Sequence, residues 1–244
     1  MASENPQKTG HGDTHEVLVW DFPVRLFHWL LAAGVAAAWF AAEYRKEIGD
    51  FTMTIHKSIG LGMLTLILFR LVWGVVGSRT ARFADFVKSP GAALKHAREL
   101  LKRRPSFAVG HTALGGYSVV LMLAAVGVQP CLGLFADDDI AARGPLARFV
   151  SGSVSDVATS LHHLNFNVIL ALAGLHVAAI LFYKYWKRES LTLPMITGAK
   201  SLPRGIEGKP MRSPILGLLL LAAIAALVYG ANKALAPPPS PFQF

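Results

Sequence analysis

Residues 161–183 read LHHLNFNVILALAGLHVAAILFY, a stretch without Asp, Glu, Lys or Arg that is long enough to cross a membrane as a helix. Within it, His162 and His176 are fourteen residues apart. This spacing is almost four helical turns, so both imidazoles project from nearly the same face, roughly 21 Å apart along the axis. A histidine in hydrocarbon is costly without a partner, and neutral imidazole binds transition metals well. The stretch therefore predicts a membrane helix with two ligand positions.

Four other segments have the length and apolarity of membrane spans. Three of them carry no charged side chain, and the remaining one carries only Lys57 and Arg70. Together with 53% hydrophobic residues and a mean hydropathy of +0.43, they predict an all-α integral membrane protein. We expect a four-helix transmembrane bundle plus a fifth, C-terminal transmembrane helix. The four segments are Leu26–Ala42, His56–Gly77, Ala113–Phe135 and Ser213–Asn232.

The loops between these segments alternate between basic and acidic. Ser78–Gly110 holds eight Lys or Arg against two acidic residues, and Lys184–Arg212 holds seven against two. In Glu43–Ile55 and Ala136–Ser160, acidic residues outnumber basic ones. The positive-inside rule then places the N-terminus and both basic loops in the cytoplasm and the C-terminal tail outside. Because topology explains the basic loops, no nucleic acid is expected as a partner.

This topology divides the chain into five parts. The central part is the bundle, and the flanking parts are polar, basic or proline-rich. In order, they are a cytoplasmic N-terminal tail (1–16), the four-helix bundle (17–198), a basic cytoplasmic linker (199–212), the fifth helix (213–232) and a Pro-rich C-terminal tail (233–244).

The topology also gives each membrane histidine a depth. The first span starts in the cytoplasm, so His28 lies in its cytoplasmic half, whereas His56 begins a span that enters from outside. The fourth span also enters from outside, which makes His162 outer and His176 inner. Depth therefore pairs His56 with His162 and His28 with His176. Two such bis-histidine sites suit two haems stacked across the membrane.

Two alternatives stand beside this interpretation. His163 competes with His162, but it lies about 140° around the helix from His176, against about 40° for His162. His162 is therefore the preferred ligand, and His163 is expected at the surface or beside the site. Zinc is disfavoured, since no Cys, Asp or Glu lies near the histidines. Histidines that only bridge helices by hydrogen bonds are the remaining alternative.

Each of the four spans of the bundle carries a distinctive motif. The motifs are WDFPVRLFHW at 20–29, HKSIG at 56–60 with LFRLVWG at 68–74, GHTALG at 110–115, and LHHL at 161–164 with GLH at 174–176. Together they resemble the bacterial cytochrome b561 / nickel–iron hydrogenase b-type cytochrome family, which includes the membrane subunit of formate dehydrogenase. The resemblance spans about residues 17–198. It implies that His28, His56, His162 and His176 are the axial ligands of two b haems.

Four further residues are candidates for cofactor contacts. Arg25 and Arg70 lie toward the cytoplasm, where the propionates of an inner haem could be neutralised. The alternative for Arg25 is an interfacial anchor that snorkels to water. Arg70 either pairs with a propionate or a neighbouring helix, or snorkels. Gly60 lies one turn after His56 and either admits a flat macrocycle or permits close helix packing. His111 opens the third helix and either serves quinone or proton transfer or is a plain interfacial histidine.

Bis-histidine ligation leaves no open axial position, which favours electron transfer over chemistry at the iron. The resemblance implies electron exchange between the quinone pool and a periplasmic redox partner (a dehydrogenase, a hydrogenase or a c-type cytochrome) in the bacterial inner membrane. The chain would then be a lipid-embedded subunit of an oxidoreductase complex, with Asp137–Asp139 as a docking point for a basic partner. The alternatives are a stand-alone superoxide:quinone oxidoreductase and a non-haem structural membrane anchor.

Overall fold

The computed structural model describes residues 14–103, 106–138 and 142–235. Within them, five helices are long and apolar enough to cross a membrane, which confirms the multi-pass all-α architecture. In the chain-order numbering used below, they are α1 (Phe22–Glu43), α3 (Phe51–Val76), α6 (Ala113–Phe135), α7 (Gly152–Tyr185) and α9 (Pro214–Ala234).

Shorter elements join these helices. In the described residues they are β1 (Thr14–Leu18), α2 (Arg45–Ile48), α4 (Phe83–Phe86), α5 (Pro90–Glu99), a 3₁₀ turn (Ala147–Phe149), α8 (Thr192–Thr197) and β2 (Ala199–Pro203).

The helix bounds follow the predicted spans closely, with one large difference. α6 has the predicted bounds, but α7 begins nine residues before the apolar stretch 161–183. These nine additional residues are too polar to be recognised as part of a membrane span from hydropathy. Their side chains form hydrogen bonds with the C-terminal end of α6. Ser155 Oγ donates to the Phe135 carbonyl at 2.6 Å, and Thr159 Oγ1 donates to the Asp137 carbonyl at 3.0 Å. The extension therefore anchors α7 to α6 at the outer end.

α3 is the central helix of the bundle and packs against α1, α6 and α9. Its C-terminal half carries the most buried aromatic side chains of the described residues, Phe69 (1% exposed) and Trp73 (0%). α7 packs along α6, but it has no comparable contact with α1 or α3, although all of these helices lie in the described ranges. A gap therefore separates α7 from the first two spans.

The fifth long helix is part of the bundle. α9 packs on α3 and also contacts α1. Its Gly217 lies so close to α1 that a Cβ there would be 2.5 Å from Pro23 Cγ and 3.3 Å from Trp73 Cη2. Only glycine permits this approach, so the N-terminal half of α9 is held against the α1–α3 pair.

The chain before α1 pairs with the linker after α8. β1 and β2 are antiparallel, with a register that runs from Thr14 opposite Pro203 to Leu18 opposite Ala199. The next two amides, of Val19 and Trp20, donate to the Gly198 carbonyl. The sequence analysis treats the tail 1–16 and the linker 199–212 as separate parts, whereas the structure joins them from residue 14 onward. Residues 1–13 and 236–244, the larger parts of the two tails, lie outside the described residues.

Candidate functional site

The four membrane histidines form two facing pairs. His56 on α3 faces His162 on α7, with ring centroids 6.1 Å apart. His28 on α1 faces His176 on α7, with ring centroids 6.3 Å apart. These are the pairs that depth predicts, and both bridge the gap beside α7. After their predicted depths, His56 and His162 are named the outer pair, and His28 and His176 the inner pair.

The pair geometry fits a shared iron. An iron–nitrogen bond of about 2.0 Å on each side, plus the distance from each nitrogen to its ring centre, separates two axial imidazoles by about 6 Å. Both observed separations have this value. The helices that carry the partners are not packed against each other, which leaves room for a flat macrocycle. The residues present therefore fit a bis-histidine haem at each pair.

Hydrogen bonds orient both rings of the outer pair. His56 Nδ1 lies 2.8 Å from the Ala38 carbonyl, and His162 Nδ1 lies 3.0 Å from the Gln129 carbonyl. A carbonyl oxygen only accepts, so each Nδ1 must donate its proton. Each Nε2 is then unprotonated and available to a metal, the usual arrangement of a ligating histidine.

The outer pair lies in a cavity of about 660 Å³, a size typical of cofactor sites. Gly60 lines this cavity, and a Cβ added there would meet no protein atom within 4 Å, so it faces open space rather than a packed helix. Gly133 lies opposite, where a Cβ would be 3.3 Å from His162 Cε1. Both glycines keep the space beside the histidines free of side chains.

The inner pair is held differently. His28 Nδ1 is buried and has no hydrogen-bond partner in the described part of the chain. The His28 ring packs edge-on against Trp29, with centroids 5.0 Å apart. Gly174, two residues before His176, also faces open space. The two pairs therefore have similar ring spacing. At the inner pair, however, no hydrogen bond within the described residues fixes the tautomer of His28.

His163 is exposed and meets His162 edge-on, with centroids 6.3 Å apart. It also lines the outer cavity, so it lies beside the pair rather than within it. This placement agrees with the helical phase argument, and a role for His163 stays a prediction.

The two predicted propionate partners have different surroundings. Arg25 donates from Nη1 to the Ile196 carbonyl, and its Nε is buried without a partner among the described residues. Arg70 is 2% exposed, and its guanidinium lies over the rings of Phe83 (5.0 Å) and Phe86 (5.8 Å). Arg70 thus has cation–π partners from the segment between α3 and α6, a form of pairing that the spans alone did not indicate. Contact of either arginine with a haem stays a prediction.

His111 lies two residues before α6, between two aromatic rings. Its ring centroid is 4.6 Å from that of Trp20 and 4.5 Å from that of Phe86, and its Nδ1 is buried without a partner in the part described. Burial, with smaller contributions from the charges of Arg70 and Lys209, lowers the pKa of His111 to about 3. The side chain is therefore neutral at physiological pH, and a quinone role would rest on hydrogen bonding rather than on charge.

The depressed pKa of His111 predicts acid-dependent stability. Unfolded histidine titrates near pH 6.5, so between pH 6.5 and about 3 the unfolded state binds a proton that the folded state rejects. Stability then falls as the pH falls, by about 2 kcal/mol at pH 5 from this group alone. We expect the thermal midpoint in detergent to drop less between pH 7.5 and 5 in His111→Gln than in the wild type. Equal drops in the two proteins would contradict the assignment.

The predicted acidic docking point is largely engaged within the chain. Asp138 forms an ion pair with Arg45 (2.7 Å), and Asp137 forms one with Arg143 (3.0 Å). Arg45 also pairs with Asp50 at 2.8 Å. These contacts fasten the loop after α6 to the α1–α3 connection above the outer cavity, a role that the acidic run did not indicate. Its third member, Asp139, lies outside the described residues.

Two polar residues of the outer site were missed by the sequence analysis. Gln129 on α6 and Asn165 on α7 are hydrogen-bonded to each other at 2.7 Å and lie beside His162. The available signal was their presence within otherwise apolar spans, where an amide needs a partner.

Comparison with known proteins gives one match. A family model described as prokaryotic cytochrome b561 matches residues 19–198, which is most of the bundle and well over half of the chain. No curated protein and no solved structure matched the chain in the corresponding comparisons. The matched range holds all four paired histidines and the gap between their helices. The chain belongs to the prokaryotic cytochrome b561 family, whose members are membrane b-type cytochromes that bind haem b and transfer electrons.

Proposed function

We propose that this cytochrome binds two b haems and conducts electrons across the membrane. His56 and His162 would hold the outer haem, and His28 and His176 the inner one. The chain would exchange electrons between a periplasmic redox partner and the quinone pool of the bacterial inner membrane, with its N-terminus in the cytoplasm and its C-terminus outside.

One observation carries this proposal: a single continuous helix supplies one ring to each pair. α7 is unbroken from Gly152 to Tyr185, so His162 and His176 are about 21 Å apart along one axis. Each meets a histidine from a different neighbouring helix at the spacing of two axial ligands. Chance histidines that only bridge helices would have no reason to share this spacing at two depths.

The protein's residues would hold and tune the cofactors rather than react. A bound haem supplies reversible one-electron exchange at its iron. Two imidazoles would hold each haem, which favours electron transfer over binding of a substrate at the iron. At the outer pair, the Ala38 and Gln129 carbonyls accept the Nδ1 protons, so that each Nε2 of the neutral rings would be free to bind the iron.

The charge distribution supports the proposed orientation. The basic loop with α4 and α5, and the basic segment with α8 and β2, lie at the end of the bundle nearest His28 and His176. The described residues of the acidic segment 136–160 that line the outer cavity, Asp138 among them, lie at the His56–His162 end. Positive charge faces the cytoplasm in membrane proteins, so the inner pair is the cytoplasmic one.

The test is a count of haems joined to an electron-transfer assay. We expect two b haems per chain in the purified protein, measured as pyridine haemochrome against protein mass. In proteoliposomes, an external membrane-impermeant reductant should reduce an acceptor trapped inside, and added quinone should speed the transfer. A protein that binds only one haem would contradict the proposed two-haem electron transfer. A protein that binds none would instead be the non-haem structural anchor.

The outer cavity favours one second candidate, a superoxide:quinone oxidoreductase. Lys57 lines the cavity beside the outer pair, and a cationic side chain attracts small anions. Under this alternative, superoxide generated in solution reduces the outer haem of the isolated chain, and dioxygen is the product. If the haems are reduced only when a partner protein is present, the subunit function is the correct one.

A further inference from the structure

Two amide side chains lock α6 and α7 together at the outer site. Asn165 Nδ2 donates to the Ala125 carbonyl at 2.8 Å and to Gln129 Oε1 at 2.7 Å. Gln129 Nε2 in turn donates to the His162 carbonyl at 3.0 Å. The chain of bonds therefore starts one turn after His162 on α7, crosses to α6, and returns to the backbone of His162 itself.

The same Gln129 is the residue whose backbone carbonyl accepts the proton of His162 Nδ1 at 3.0 Å. Its side chain and its main chain thus hold His162 at two points, one on the backbone and one on the ring. This arrangement fixes both the position of the imidazole and the direction of its N–H bond. The strength of that N–H···O bond sets how strongly the imidazole donates electrons to a metal.

No comparable network supports the inner pair in the described part of the chain. Among the described residues, His28 Nδ1 is buried without a hydrogen-bond partner. The two sites therefore have similar ring spacing but different support. An effect that acts through Gln129 and Asn165 should be confined to the outer haem.

We propose that Asn165 and Gln129 form a positioning pair for His162 that lowers the reduction potential of the outer haem selectively. A firmly held Nδ1–H bond to a carbonyl makes the imidazole a stronger donor, which favours ferric iron. The inference rests on the proposed two-haem function and adds the residues that set one of the two potentials.

Asn165→Ala tests the proposal in the full-length holoprotein. It removes both donated bonds and frees the Gln129 side chain. We expect the variant to keep two haems, with the outer midpoint potential raised and the inner one unchanged in a redox titration. The low-spin ferric EPR signal of the outer haem should shift as well, because the orientation of its axial imidazole is no longer fixed.

Asn167→Ala is the matched control, since Asn167 is an exposed asparagine two residues along the same helix. It should leave both potentials unchanged. Asn165→Leu keeps the approximate side-chain size if the alanine variant does not fold. Leucine has no polar group, so both donated bonds are lost without any change of charge beside the haem. It should also raise only the outer potential.

An outer potential that stays constant, falls, or moves together with the inner one in both Asn165 variants overturns the proposal. Failure of the proposed function has a different signature. A wild-type protein with fewer than two haems would refute the proposed two-haem function before any variant is made. If the wild type binds two haems and neither midpoint potential changes in the Asn165 variants, only the proposed positioning role of Asn165 and Gln129 is refuted.

Discussion

His162→Ala should reduce the haem content from two to one per chain and stop electron transfer across the membrane. The substitution removes one of the two imidazoles that face each other at 6.1 Å in the outer pair. A haem held by one axial ligand in an open cavity of about 660 Å³ should be lost during purification. The inner pair lies about 21 Å away along α7 and should keep its haem. Pyridine haemochrome analysis and the proteoliposome assay measure the two effects.

His163→Ala is the matched control, because it removes the neighbouring imidazole from the same cavity. It should keep two haems and most of the activity. The cavity left by His162→Ala can admit free imidazole, so millimolar imidazole should restore part of the outer haem. The opposite pattern, with the haem lost in His163→Ala and kept in His162→Ala, would show that the helical phase argument chose the wrong residue.

The spans and the histidine pairs were predictable because they depend on local pattern and on topology. Apolar length defines a membrane helix, and helical phase and depth then fix how histidines on different spans can meet. The family match and the five long helices confirm the fold class. The pairing of His28 with His176, and of His56 with His162, follows the same logic. Their haem ligation is the proposal that the experiments above address.

The supporting contacts were not predictable, because they join residues far apart in the chain. Asn165 meets Gln129 across 36 positions, and Arg45 meets Asp138 across 93. An amide in an apolar span signals that a partner exists, but it does not say which helix provides the partner. The pairing of β1 with β2 is of the same kind, since neither polar segment shows its partner in its own composition. The polar start of α7 was missed because hydropathy detects only the part of a helix that lies in lipid.

Asp21→Ala should strongly destabilise the end of the bundle at which α1 begins. Asp21 is 4% exposed, and its two carboxylate oxygens have separate tasks. Oδ1 accepts the Val24 amide at 2.8 Å as the N-cap of α1, and Oδ2 accepts Trp73 Nε1 at 3.0 Å. The carboxylate also interacts electrostatically with the buried Arg70. One side chain therefore ties the start of α1 to the end of α3.

The expected cost combines these losses. Removal of an N-cap costs about 1 kcal/mol, and a buried indole N–H without a partner costs about 1–3 kcal/mol. The total of about 3 kcal/mol should lower the thermal midpoint in detergent by on the order of 10 °C. It leaves Arg70 without its nearest opposite charge, which adds to the loss.

Three companion variants separate the contributions of Asp21. Asp156→Ala removes an exposed carboxylate from α7 and should leave the midpoint nearly unchanged. Asp21→Asn has one oxygen, which can accept either the Val24 amide or the Trp73 indole N–H, but not both. The thermal midpoint of this variant should therefore lie between those of the wild type and Asp21→Ala. In a double-mutant cycle, Trp73→Phe and Asp21→Ala should be strongly non-additive because they remove the same bond. Additive effects, or an Asp21→Ala midpoint equal to that of Asp156→Ala, would show that this carboxylate does not join α1 to α3.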